Sequence, residues 1–110
     1  MIRVCSVGEI PEGEAVRVDP GPDGVPVAVF HVGGAYYALD DTCTHQDASL
    51  TDGYVEEEDC AVECPLHASC FDLRTGEPSG PPARTPVRTH AVVVEDGAVY
   101  VRLQSADAIV

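Results

Sequence analysis

The chain has 110 residues with 6 basic and 19 acidic side chains, a formal net charge of −13. That length is one domain, and with every basic residue an Arg and no Lys, no basic stripe can neutralise nucleic-acid phosphates or dock on an anionic leaflet, so nucleic acid and membrane surfaces are excluded as partners. The longest apolar runs, such as residues 91–94, fall far short of the roughly 18 residues a membrane span needs. Met1 is followed by Ile2, Arg3, Val4, Cys5 and Ser6 and then a Gly/Glu/Pro stretch, which reads neither as a secretory leader nor as a transit peptide. A cytoplasmic location is therefore expected.

Valine is the most frequent residue, and there is no Trp and only two Phe. A core of β-branched aliphatics fits a pleated sheet better than a helix. In chain order, residues 2–7 read as a short strand, and Pro11, Gly13, Pro20, Gly21, Pro22 and Gly24 break the chain around a brief strand at 15–18. Residues 25–32 and 35–39 flank Gly33-Gly34, a two-residue turn of the kind that joins hairpin strands. From Asp40 to Asp72 the chain is turn-rich and acidic, with a helical turn near Ala48 and short strands at 54–55, 60–63 and 70–73. Residues 87–94 and 98–103 then flank Glu95-Asp96-Gly97, a second hairpin. The pattern predicts an all-β antiparallel sandwich or barrel in which these hairpins supply the main sheet pairs. One domain, 1–110, is expected, with residues 40–72 as a small inserted subdomain.

Five cysteines is an odd number, and a reducing compartment disfavours structural disulfides, so the spacings decide what they do. Cys43-Thr44-His45 and Cys64-Pro65-Leu66-His67 form a C-x-H and a C-x-x-H separated by residues 46–63. Thiolate and neutral imidazole are soft to borderline ligands, so a Cys₂His₂ set suits zinc or iron rather than calcium or magnesium. Structural zinc commonly takes two thiolates from one C-x-x-C knuckle, whereas here each loop pairs a Cys with a His. A two-iron cluster with unlike ends needs such a mixture, because each loop can give its Cys to one iron and its His to the other.

On these residues the chain resembles the Rieske family, in which two His replace two Cys on one iron of a [2Fe-2S] cluster. The stretch CTHQDASLTDGYVEEEDCAVECPLHASCFDLRTGEPSGPPA looks like the cluster-binding subdomain of soluble Rieske ferredoxins, and the likeness runs from about residue 29 to 101. The resemblance implies one cluster per chain, with Cys43 and Cys64 on one iron and His45 and His67 on the other. It implies that residues 40–83 form the cluster-binding subdomain, that Gly80-Pro81-Pro82-Ala83 covers the cluster, and that Gln46, Leu66 and Ala68 neighbour the partner's approach. The two further Cys that bridge the loops in respiratory and photosynthetic relatives are replaced here by Ala48 and Leu66. The resemblance is thus to the stand-alone ferredoxins of ring-hydroxylating-type oxygenases. These are monomeric one-electron carriers from a flavoprotein ferredoxin reductase to a terminal oxygenase, and not themselves enzymes.

Imidazoles in place of thiolates place such a cluster at roughly −150 to +300 mV. Ser69 matches a hydroxyl that donates to a bridging sulfide in high-potential relatives, while Phe71 stands where they place a hydrogen-bonding Tyr, which implies the lower part of that range. Two other readings of the four ligands stay open at this point: a zinc-stabilised Cys₂His₂ interaction module, and a Rieske-like small subunit of a larger reductase of the nitrite reductase type. Asp40, Asp41, Asp47, Asp52, Glu56, Glu57, Glu58, Asp59, Glu63 and Asp72 form an acidic field, with no Arg between Arg17 and Arg74, fit to meet a basic docking patch. Cys5, Cys60 and Cys70 read as small buried hydrophobes, with a Cys60–Cys70 disulfide disfavoured. His31 and His90 read as ordinary strand residues, and Gly53 and Gly76 as turn formers.

Overall fold

The computed structural model describes residues 2–18, 26–42, 48–65, 69–79 and 85–102. Nine strands and one 3₁₀ turn are formed among them: β1 (Ile2–Ser6), β2 (Glu14–Val18), β3 (Val27–Val32), β4 (Ala35–Asp40), η1 (Leu50–Asp52), β5 (Tyr54–Glu56), β6 (Ala61–Glu63), β7 (Cys70–Asp72), β8 (Thr89–Glu95) and β9 (Ala98–Arg102). The fold is all-β, as its valine-rich composition dictates. No helix among the described residues is long and apolar enough to cross a membrane.

Six strands form one antiparallel sheet in the order β1-β9-β8-β4-β3-β2, and β5-β6-β7 form a second, three-stranded sheet. Both expected hairpins are present. At the first, Gly33 and Gly34 take φ of +62° and +81°, and the Glu12 carboxylate accepts both of their N–H groups at 2.6 and 3.0 Å. These bonds hold Glu12 ionised below the ordinary Glu range. The second turn is one residue tighter than expected, because Glu95 pairs with Ala98 and only Asp96 and Gly97 are left at positive φ. The two hairpins join through a short β4–β8 ladder, Ala38 to His90 and Leu39 to Thr89.

β3 explains how the two sheets share a core. Its apolar run is buried on both faces, and the two-residue strand period divides it: Val27 and Val29 pack with Cys5, Ile10, Ala38, Val99 and Val101, whereas Ala28, Phe30 and Val32 pack with Leu39, Leu50, Val62, Cys64, Phe71, Leu73 and Val87. The first set is the interior of the large sheet. The second is the layer that mounts η1 and the three-stranded sheet on β3 and β4. The helical turn expected near Ala48 forms at Leu50–Asp52, and Val87 precedes β8 as a buried residue whose N–H donates to the Gly76 carbonyl (2.8 Å).

Candidate metal centre

Of the four proposed ligands, Cys64 lies among the described residues, and Cys43, His45 and His67 lie outside them, as do Gln46, Asp47, Leu66, Ala68 and residues 80–83. Cys64 follows β6 directly, is fully buried and forms no disulfide. Its N–H donates to the Ser69 carbonyl at 2.8 Å, which closes the 64–69 loop carrying His67 at its feet. The loop carrying Cys43 and His45 is closed in the same way. Leu50 N–H donates to the Asp41 carbonyl at 2.6 Å, and Thr42 and Ser49 form an isolated antiparallel bridge.

The described ends of the two loops approach one another at Gly53. Its backbone is extended, with φ of −78° and ψ of −175°, so its role is proximity and not the turn conformation expected of it. A Cβ there would run into the Glu63 carbonyl and lie 3.1 Å from the Leu50 carbonyl and from Val62 Cγ2. Leu50 ends the first loop and Glu63 precedes Cys64, so this close approach presses the feet of the two loops together. Gly76, by contrast, is a turn glycine at φ +78° that also lets the Val87 carbonyl approach.

The remaining cysteines are free. Register forbids a Cys60–Cys70 bridge: Cys70 pairs with Glu63, whereas the Cys60 carbonyl accepts the Leu73 N–H. The two sites lie three ladder steps apart, roughly 10 Å, beyond the reach of a disulfide. Cys70 sits with Glu56 and Glu63 so that their ligand atoms all lie within 4.8 Å of one another. Burial first, and then the carboxylates of Glu56, Glu63 and Asp59, push the Cys70 thiol up, away from the thiolate form.

The acidic field is narrower than the sequence implies. Asp41 is buried and Asp40 is paired, with Arg88 Nε 3.2 Å and His90 Nε2 2.7 Å from its carboxylate. His90 is thus one partner in a β4–β8 cross-link, and not an ordinary strand residue. His31 stacks on Tyr36 with ring centroids 4.5 Å apart, and its Nδ1 lies 2.7 Å from the Ile10 carbonyl. Asp72 is neutralised by Arg74, 3.1 Å away, whose guanidinium holds that carboxyl below its usual range. Asp52, Glu57, Glu58 and Asp59 remain exposed, at η1 and at the β5–β6 turn.

A fully buried Cys64 at the end of β6, close to the segment that follows the C-x-H motif, suits a two-iron, two-sulfur group held by thiolate and imidazole. The comparison with known families agrees. The model of the Rieske [2Fe-2S] domain matches residues 1–91, and the chain belongs to that family. It is 46% identical over 105 residues to the 3-phenylpropionate/cinnamic acid dioxygenase ferredoxin subunit of Escherichia coli K12, covering 96% of this chain and 95% of that one. The ferredoxin of carbazole 1,9a-dioxygenase from Nocardioides aromaticivorans IC177 superposes with a TM-score of 0.86 at 35% identity, over 94% of this chain and 97% of that one. A ferredoxin chain from a complex of reduced oxygenase and oxidised ferredoxin in carbazole 1,9a-dioxygenase superposes at 0.84 with 38% identity, over 92% and 100%. The chain is a Rieske ferredoxin with one [2Fe-2S] cluster, and the zinc-module reading is set aside.

Proposed function

We propose that this chain is the electron-carrying component of a ring-hydroxylating dioxygenase system, taking one electron at a time from a flavoprotein ferredoxin reductase and delivering it to a terminal oxygenase. The cluster is held by Cys43 and Cys64 on one iron and by His45 and His67 on the other, within a cluster-binding subdomain of residues 40–83 inside a single domain of 1–110. The carrier works in the cytoplasm as a monomer. What supports the reading is the close approach, at Gly53 against Glu63, of the ends of the two segments that carry the Cys and His motifs, in a chain that belongs to the Rieske family.

The cluster supplies the redox step. The chain's own contribution is to hold the donors in place, to bury Cys64 and to present exposed carboxylates toward a partner. Reconstitution tests the proposal. With a ring-hydroxylating oxygenase, its reductase and reduced nicotinamide, product formation should require this protein and saturate with it. Equal turnover without it would refute the carrier role.

A further inference from the structure

Asp41 is the single buried carboxylate among the described residues, 2% exposed, and it stands two residues before Cys43. A carboxylate at that depth is strongly unfavourable unless it is fully hydrogen-bonded. Here it is: Oδ1 accepts the Thr51 N–H at 2.9 Å and the Thr51 hydroxyl at 2.5 Å, Oδ2 accepts the Ser49 hydroxyl at 2.5 Å, and Arg17 Nε lies 3.8 Å from Oδ2. The Asp41 N–H donates to the Pro26 carbonyl at 2.9 Å, which anchors Asp41 itself beside β3.

The three hydrogen bonds from Ser49 and Thr51 are directed across one loop mouth. Asp41 and Thr42 lead into the first ligand loop, and Ser49 to Thr51 lead out of it. The backbone already closes that mouth through Leu50 N–H to the Asp41 carbonyl and the Thr42–Ser49 bridge. The carboxylate adds three charge-assisted bonds, which are shorter and more directional than neutral ones. Ser49 caps η1 with no side-chain bond to the turn, because its hydroxyl is given to Asp41 instead. A polar group spent in this way fixes geometry rather than closing a turn.

We propose that Asp41 is the positioning residue of the first ligand loop. Its carboxylate clasps the 49–51 segment to the 41–42 segment and so fixes the two ends of the chain between which Cys43 and His45 lie. The inference rests on the ligand assignment above.

Thr51→Val tests it, since this nearly isosteric change removes one hydroxyl donor and leaves the carboxylate in place, while Thr51→Ser restores the hydroxyl. Iron content and the reduced-state electron paramagnetic resonance signal of the unsubstituted protein come first, and their failure would strike the ligand assignment rather than the clasp. The variants are then compared by g-values and by the rate at which an iron chelator bleaches the cluster. Thr51→Val should bleach roughly tenfold faster, the factor equivalent to losing about 1.4 kcal/mol from a hydrogen bond to a charged group, and its g-values should shift. Thr51→Ser should return both to those of the unsubstituted protein. Unchanged g-values in Thr51→Val, with or without faster bleaching, would overturn the proposal, as would a Thr51→Ser protein as altered as Thr51→Val. Should Thr51→Val fail to fold, Ser49→Ala, which removes the other hydroxyl, is read against the same two outcomes.

Discussion

Gly53→Ala is the substitution that most directly strains the junction between the two ligand loops. The added Cβ meets the Glu63 carbonyl, and it also comes within 3.1 Å of the Leu50 carbonyl and of Val62 Cγ2, where ordinary carbon contacts are about 3.5–4.0 Å. Two of these neighbours are backbone and cannot rotate away, so η1 and β6 must separate by roughly an ångström. Because φ at Gly53 is −78°, alanine accepts the backbone conformation, and the whole cost is steric. Overpacking against backbone costs roughly 3 kcal/mol, the upper part of the usual range. In a domain of this size that lowers the melting temperature by roughly 15 °C. Gly97→Ala is the control: its φ of +75° costs about 1–2 kcal/mol, but nothing lies within 4 Å of its Cβ and it is in the β8–β9 turn. Differential scanning calorimetry and iron analysis of both variants read the result. Gly53→Ala should lose iron as well as stability, whereas Gly97→Ala should keep two irons per chain. A Gly53→Ala protein with the melting temperature and iron content of the unsubstituted chain would refute the reasoning.

Ser69→Ala should lower the midpoint potential by about 60 mV, which corresponds to about 1.4 kcal/mol of hydrogen bonding withdrawn from the reduced cluster in a one-electron couple, and an unchanged potential in a spectroelectrochemical titration would discard the donor role. Asp72→Asn should flatten the acid limb of the stability curve. Arg74 depresses the folded-state carboxyl pKa, so the contribution of Asp72 is complete above its unfolded value of about 3.9 and disappears as pH falls through the lower folded value. The effect is small because the pair is partly exposed, and urea melts from pH 2 to 6 that match those of the unsubstituted protein throughout would contradict it. Electron transfer to the oxygenase should slow as ionic strength rises to about 0.5 M, where the screening length is only about 4 Å. A stopped-flow rate independent of salt would remove the exposed carboxylates at Asp52 and 57–59 from the encounter.

The parts of the fold legible in the sequence are those written in local pattern. Gly33-Gly34 names its own turn, Glu95-Asp96-Gly97 marks the second to within one residue, and the apolar residues 27–30 mark the strand β3. The four proposed ligands stand out in the sequence because metal chemistry restricts residue type and spacing together. The strand order is not legible, since nothing local tells β4 to pair with β8. For the same reason the Asp40–Arg88–His90 cross-link joins residues 48 and 50 positions apart without a sequence signal. Asp41 looked like one more acid in a run of acids, and only its donors, Ser49 and Thr51, separate it from the exposed ones. Gly53 looked like a turn because its requirement is a neighbouring carbonyl, which composition does not record. Arg17, distant in the chain from the acids at residues 40–72, reaches Asp41 through the β2–β3 pairing.

The measurement that bears most directly on the central claim is metal analysis of the anaerobically purified protein together with electron paramagnetic resonance of its reduced state. Two irons per chain, no zinc and a signal of low average g, converted to a different signal or lost on replacing His45 or His67, are the predicted result. One zinc per chain with no colour and no signal would contradict it.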